Sequence, residues 1–404
     1  MTIKIGIVGV RGLSAMSAIN DIPDAQVTAL CDLDEEILNF QAEKYNIPNK
    51  YRVYDDMLMS DIDAVIVATP MQLHVLHTIQ ALHAGKHVLS EVTAGCSFDE
   101  LFWLVEEVEK CGKVYMLAEN YLYIPKVQQI LAMTRAGLFG APYYAEGEYL
   151  HNLANIMTYP DGKPSWRRWW QWGTRGLFYP THSLGPVMKW LGNDRIDYVV
   201  ALGSGWHTRP TAPPVGGGAP AGASGTGRAG GLAAAASQGF TTYRQEDTSV
   251  ALLQMKSGKL IRLRVDCISN RPHAMTNYTL QGTKGVYESP RTTGEDMVYF
   301  CEEGANPDLA QWEPLSNYNE YLPQRYKTAT DNIRKAGHGG GDYYIIEDFL
   351  DAVRGKKPPA IDVYEACEWT AVGLLSALSV ANRGKAIDMP DFRSGNVGDK
   401  TIRI

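Results

Sequence analysis

The sequence predicts an α/β unit built on a parallel sheet, followed by an α+β unit built on a mainly antiparallel sheet. Up to about residue 121, short apolar runs alternate with stretches of helical patterning, the order that produces parallel strands with crossover helices. Beyond it, strands of alternating polarity follow one another with turn residues between them, the order of an antiparallel sheet. A chain of 404 residues also exceeds one ordinary core, which predicts two domains, 1–121 and 122–404.

Residues 3–8 (Ile-Lys-Ile-Gly-Ile-Val) form the first run, which ends at Gly9-Val10-Arg11-Gly12 before a helical stretch from Leu13 to Asn20. Strand, glycine turn and helix in that order give a Rossmann-type dinucleotide site: glycines admit a pyrophosphate close to the backbone and a helix N-terminus attracts it. A full GxGxxG is absent, so the surrounding pattern carries the reading. The second strand, Val27–Cys31, ends in Asp32-Leu33-Asp34, where one carboxylate can accept ribose hydroxyls and the other can cap the next helix. A carboxylate there disfavours a 2′-phosphate, so NAD is expected rather than NADP.

Three more buried-strand runs follow, ending at Thr69-Pro70, at Glu91 and at Glu119-Asn120. Ligands of such sheets gather at the carboxyl ends of the strands, which makes Thr69, Pro70, the 71–74 segment with Gln72 and His74, Glu91 and Asn120 candidate cofactor contacts.

In the second half, residues 122–138 read as an amphipathic linking helix and 143–150 as a strand that brings Tyr149, His151 and Asn152 to its end. Four of the nine tryptophans fall between Trp166 and Trp172 with Arg167 and Arg168 among them, a set able to stack on sugar C–H faces and bind hydroxyls. Tyr179-Pro180-Thr181-His182 puts a phenol and an imidazole where a loop becomes a helix, and both can move protons near neutral pH. Residues 211–238, mostly Gly, Ala, Ser, Pro and Thr with Arg228 as the only charge, read as a mobile insertion. His338 sits in Gly337-His338-Gly339-Gly340-Gly341, where bare backbone lets a ligand approach, and Asp342 is placed to cap the helix that follows.

Composition narrows the function. Hydrophobic residues at 45%, charged residues at 21% and a net charge of −7 without a basic run argue against a nucleic-acid surface. No stretch reaches eighteen uninterrupted apolar residues and no leader pattern opens the chain, so the expectation is a cytoplasmic protein with no membrane partner. The six cysteines show no CxxC spacing and are expected to be reduced. His74/His77 and His83/His87 lack a carboxylate or third ligand in the sequence, so no metal is expected there; spacing says nothing about one assembled from His151, His182 and His338.

These residues together resemble the Gfo/Idh/MocA oxidoreductase family, which implies an open, mainly antiparallel sheet in the second domain and a homo-oligomer that uses its uncovered face. One departure is informative. The family's dehydrogenases carry Glu-Lys-Pro after the fourth strand, whereas this chain reads Glu91-Val92-Thr93, and valine cannot move a proton. Arg11-Gly12, Asp32, Glu91-Val92, Asn120, Tyr149 with His151, Trp166-Arg167, Tyr179-Pro180-Thr181-His182 and Gly337-His338-Gly339-Gly340 more narrowly resemble glycoside hydrolase family 109.

That resemblance implies NAD contacts from Gly9, Arg11, Gly12, Asp32, Glu91, Val92, Asn120 and Tyr179. It implies a carbohydrate site lined by Tyr149, His151, Trp166, Arg167 and Thr181. The chemistry implied is transient oxidation at sugar C3, elimination at C1, water addition and re-reduction, with Tyr179, His182 and His338 carrying protons. The alternatives are a sugar or cyclitol dehydrogenase with net hydride transfer, a 3-keto-glycoside lyase and a non-catalytic NAD(H) sensor. The chain departs from the narrower family in its short glycine turn, in the 211–238 insertion and in His273, where a tyrosine is expected.

Overall fold

Ile3–Val8 (β1), Ala25–Cys31 (β2), Asn49–Tyr51 (β3), Ala64–Val67 (β4), His87–Ser90 (β5) and Tyr115–Leu117 (β6) build a parallel sheet in the order β3-β2-β1-β4-β5-β6, with β-branched and apolar residues at the interior positions of all but β3. The computed structural model describes residues 2–10, 19, 21–159, 161–208, 244–269, 271–302, 305–306, 308 and 311–393. Every residue of β4 and all but one of β1 are buried, as a sheet covered on both faces requires. The covering helices are Glu35–Tyr45 (α1), Tyr54–Leu58 (α2), His74–His83 (α3) and Phe98–Cys111 (α4). Strand β3, short and largely exposed, carries no apolar run, which is why the sequence pattern does not predict it.

Pro125–Arg135 (α5) opens the second unit with proline at its first turn, where the missing N–H costs nothing. Strands Pro142–Leu150 (β7), Ile196–Gly203 (β8), Ser249–Met255 (β9), Leu260–Asp266 (β10), Ala274–Gly282 (β11), Gly285–Glu288 (β12), Met297–Phe300 (β13), Glu313–Pro314 (β14) and Ile387–Asp388 (β15) form one sheet. Its order is β14-β13-β12-β11-β7-β10-β9-β8-β15. All neighbours are antiparallel except β7 and β10, which pair in parallel at its centre. The predicted fold class is therefore observed, with one parallel pair that strand patterning does not reveal.

Between β7 and β8 lie Arg167–Trp170 (α6), which carries two of the clustered tryptophans, and Thr181–Trp190 (α7). Gly341–Val353 (α8) and Val363–Ala381 (α9) complete the second unit. Helix α9 joins both domains: Thr370 Oγ1 accepts from the Ala94 amide at 3.1 Å, while Ser379 Oγ accepts from Ala201 of β8 at 2.8 Å. The insertion 211–238 lies outside the described residues. Among those described, no helix is long and apolar enough to cross a membrane, and all six cysteines are free.

Helix α7 lies directly on β7. A Cβ added at Gly147 would stand 2.1 Å from the Ser183 carbonyl oxygen, a backbone atom with nowhere to go. At Gly6 the added Cβ would meet only the side-chain ends Ile62 Cδ1 at 2.8 Å and Met57 Sδ at 3.1 Å. We expect Gly147→Ala to cost at least about 2 kcal/mol in urea unfolding and Gly6→Ala less than about 1 kcal/mol, because flexible ends yield and backbone does not.

Candidate active site

The carboxyl ends of the parallel strands open onto a cavity of about 1250 Å³ whose far wall is supplied by the second unit. Gly9, directly after β1, has φ +88°, and an added Cβ would lie 2.5 Å from Ala68 O, so only glycine fits there. The Val10 amide donates to Asp32 Oδ2 and the Asp34 amide to Asp32 Oδ1, each at 2.9 Å. Asp34 in turn caps α1 by accepting from the Ile37 amide at 3.2 Å. The two carboxylates thus split the work: Asp32 faces the cavity and steadies the turn, Asp34 closes the helix. Arg11 and Gly12 lie outside the described residues.

Thr69, Pro70, His74, Glu91, Val92 and Asn120 line the same cavity. His74 meets Thr69 O at 2.7 Å and Thr93 O at 2.8 Å through its two ring nitrogens, which fastens the loop after β4 to the loop after β5. Burial holds its pKa below the ordinary value. Gln72 is not on the cavity wall, and its Oε1 is buried without a partner. Asn120 Oδ1 is likewise a buried acceptor without a donor, but on the wall, where a ligand N–H or O–H could reach it. That acceptor and the bare backbone at Gly9 fit a dinucleotide.

Opposite these strand ends stand two histidines, each tied to a carboxylate. Near the start of α7, His182 Nδ1 lies 2.7 Å from Oε1 of Glu119, a side chain with no exposure at all. His338 Nδ1 lies 2.9 Å from Asp342 Oδ1, which also accepts from Asn120 Nδ2 at 3.2 Å. Because a carboxylate only accepts, each Nδ1 carries the hydrogen, and Nε2 is the nitrogen left for a ligand. The Tyr121 ring stands between the two, stacked on His182 at 4.0 Å and tilted against His338 at 5.5 Å. Tyr179 meets His182 edge-on at 4.9 Å.

Burial dominates the acid–base properties here. It pushes the Tyr179 and Tyr121 phenols well above their usual range. The hydrogen bond to Asp342 raises His338 against its own burial. Glu91 is pushed up to about 7, first by burial and then by the charge of Asp342, with His338 opposing.

Trp166 and Arg167 complete the wall, the guanidinium carbon 4.4 Å from the indole centroid. Thr181, Tyr149 and His151 are not on it. They stand behind: the Tyr149 ring lies 5.2 Å from His182 and 6.0 Å from Tyr179, and its hydroxyl shares a hydrogen bond with His151 Nδ1 at 2.6 Å. Burial, aided by His273, lowers His151 to about 4, so it is a neutral acceptor at physiological pH.

Three residues of this arrangement escape the sequence reading. Glu119 ends the β6 run and reads as strand, and Tyr121 reads as linker. Asp342 is expected to cap α8, but Gly340 holds the cap position with no side-chain bond, because the carboxylate is drawn to His338 instead. A carboxylate within an apolar strand run is the one signal that could have singled out Glu119.

Comparison with known proteins places the chain in a family. Residues 3–119 match the family model described as oxidoreductase family, NAD-binding Rossmann fold, and residues 123–398 match that of glycosyl hydrolase 109, C-terminal domain. A glycosyl hydrolase family 109 protein of Saccharopolyspora erythraea is 31% identical over 98% of this chain and 84% of its own length. One from Shewanella pealeana is 29% identical over 98% and 86%. Among solved structures, levoglucosan dehydrogenase in complex with NADH and levoglucosan superimposes with TM-score 0.74 at 18% identity, over 96% of this chain and all of that one. Scyllo-inositol dehydrogenase from Lactobacillus casei does so with TM-score 0.66 at 17% identity, over 96% and 99%. At such identities the likeness establishes the fold.

The Glu91 shift has a measurable consequence. Its folded pKa, about 7, lies above the ordinary 4.5, so between those values the folded chain holds a proton that the unfolded chain has lost. That contribution is complete below 4.5 and gone above about 7, so stability falls as pH rises through the window. Urea titrations of the cofactor-free protein should show this decline, and Glu91→Gln should flatten it relative to wild type.

Proposed function

We propose that this chain, which belongs to the glycosyl hydrolase 109 family, is a glycosidase that oxidises its sugar transiently at C3, eliminates the C1 substituent, adds water and restores C3. It is an NAD-dependent enzyme by family. The observation that carries the reading is the pair of carboxylate-held histidines on one wall of the cofactor cavity, opposite a strand end where valine stands in for a proton-carrying lysine. An ordinary hydride transfer needs one proton acceptor; abstraction at C2 and departure at C1 need more. The dehydrogenase neighbours and their sugar and cyclitol ligands support a small carbohydrate as substrate.

When bound, NAD supplies the acceptor and then the donor of the C3 hydrogen, which leaves no net redox change. Glu119 keeps the proton of His182 on Nδ1, so Nε2 is free to take the C2 proton, and the buried carboxylate then stabilises the imidazolium. Tyr179 stays a neutral phenol, since burial keeps its pKa high, and donates to the C3 oxygen, while the hydroxyl proton that C3 gives up with its hydride passes to His338 Nε2. His338, raised by Asp342, holds a proton for the leaving group and, once deprotonated, orients water. Trp166 and Arg167 hold the sugar ring from the opposite wall.

Residues on the open face of the large sheet, with Leu202 61% and Leu252 44% exposed, form the contact between copies in this reading. Sedimentation equilibrium of Leu202→Asp against wild type checks it: the variant should shift toward the monomer.

Purified enzyme incubated with aryl glycosides should release aglycone without accumulating NADH. His182→Ala should slow release by about 100-fold or more, and Tyr179→Phe by about 10-fold or more. Stoichiometric NADH without cleavage would replace the glycosidase reading with a dehydrogenase. Accumulation of an unsaturated keto product would replace it with a lyase.

A further inference from the structure

Away from the cavity, one group of three metal-ligating side chains among the described residues has its donor atoms within 4.8 Å of one another: His83, Glu107 and Cys111. We propose that these three bind a divalent zinc-type ion in a structural site that fastens α3 to α4. His83 is the last residue of α3 and Cys111 the last of α4, and Glu107 stands one turn before Cys111 on the same helix face. His83 Nε2 already lies 2.6 Å from Glu107 Oε2.

The surroundings favour a cation. Two helix C-termini converge here, and their unpaired carbonyls put partial negative charge on the spot. Glu107, 8% exposed, is buried beneath the exposed His83 ring, so its charge needs a partner. One imidazole nitrogen, one carboxylate oxygen and one thiolate form a mixed N/O/S set suited to zinc, with water completing a tetrahedron. Lys110 also reaches Glu107, at 3.1 Å, but it holds Glu106 at 2.7 Å as well, so an ion can take Glu107 while Lys110 remains paired.

His87, the neighbour that sequence spacing offers to His83, is committed elsewhere, its Nδ1 accepting from the Val114 amide at 3.0 Å. The missing ligands come instead from the next helix. Binding converts the Cys111 thiol to thiolate and releases one proton. Both helices run back against the strands, so their C-termini lie at the edge of the parallel sheet away from the cavity, and the ion should act on stability alone.

Titration of the tag-free, full-length protein with Co²⁺ and Zn²⁺ tests the site. The expected result is one equivalent per chain, a near-ultraviolet thiolate-to-cobalt band, and a Zn²⁺-dependent rise in Tm. Cys111→Ser should abolish the band and His83→Ala should weaken Co²⁺ affinity at least tenfold, both with wild-type circular dichroism and glycoside turnover. Absence of stoichiometric binding, a band that survives Cys111→Ser, or affinity indifferent to His83→Ala would each overturn the proposal.

Discussion

The contact on which the site depends is the buried pair of Glu119 and His182. A carboxylate with no exposure is costly to place in a protein interior, and this one is compensated by two donors on one oxygen: His182 Nδ1 at 2.7 Å and the Tyr121 amide at 3.1 Å. Its other oxygen has no partner among the described residues. Glu119 comes from the end of the parallel sheet and His182 from the first helix laid on the antiparallel one, so this hydrogen bond, with Asn120–Asp342 and Ala94–Thr370, sets how the wall of one unit faces the strand ends of the other. The His182 carbonyl is fixed too, accepting the Tyr278 hydroxyl at 2.6 Å, which anchors the helix start to β11.

The second pair repeats the device with looser means. His338 has φ 58°, a left-handed conformation rare for histidine, and glycines on either side let the loop bend there. Asp342 and Asn120 hold it, and Asn120 follows directly on Glu119. One short segment, Glu119-Asn120-Tyr121, therefore addresses both histidines: a carboxylate to the first, an amide toward the second and a ring between them. Rotating that segment would displace the whole acid–base array at once. Its rigidity follows from its neighbours, since Tyr121, Leu122 and Tyr123 are all buried.

The fold was readable because parallel and antiparallel sheets leave different periodicities, and the strand ends follow from the runs. Thr69, Glu91 and Asn120 could be singled out as strand-end residues, Tyr179 and His182 as a loop-to-helix pair, and His338 as a histidine on glycine backbone. The partner that gives His182 direction was not readable, because Glu119–His182 is a contact across 63 positions, and neither was Asn120, which steadies the Asp342 carboxylate from 222 positions away. Asp342 misled for a related reason. A carboxylate at a helix start usually serves the helix, but a nearer imidazole outcompetes the free amides when both are buried. Tyr149 and His151 stand behind the cavity lining, because alternation along a strand gives the face, not the distance to the cavity.

The valine at position 92 adds no charge to a site already rich in carboxyl groups. Glu91, Glu119 and Asp342 bring three carboxyl groups to two imidazoles, and each negative charge there disfavours the next. The burial that lifts Glu91 to about 7 lets it keep a proton near neutrality, which leaves two carboxylates for two histidines. A lysine at position 92 would place an ammonium beside Glu91, pull its proton off and pair with the resulting carboxylate, a self-contained couple suited to one proton transfer. Valine adds no charge beside Glu91, so burial and Asp342 set its pKa, and the carboxyl groups that meet the histidines are those of Glu119 and Asp342. In the proposed cycle, valine at position 92 leaves the proton transfers to the two histidines that Glu119 and Asp342 hold toward the cavity.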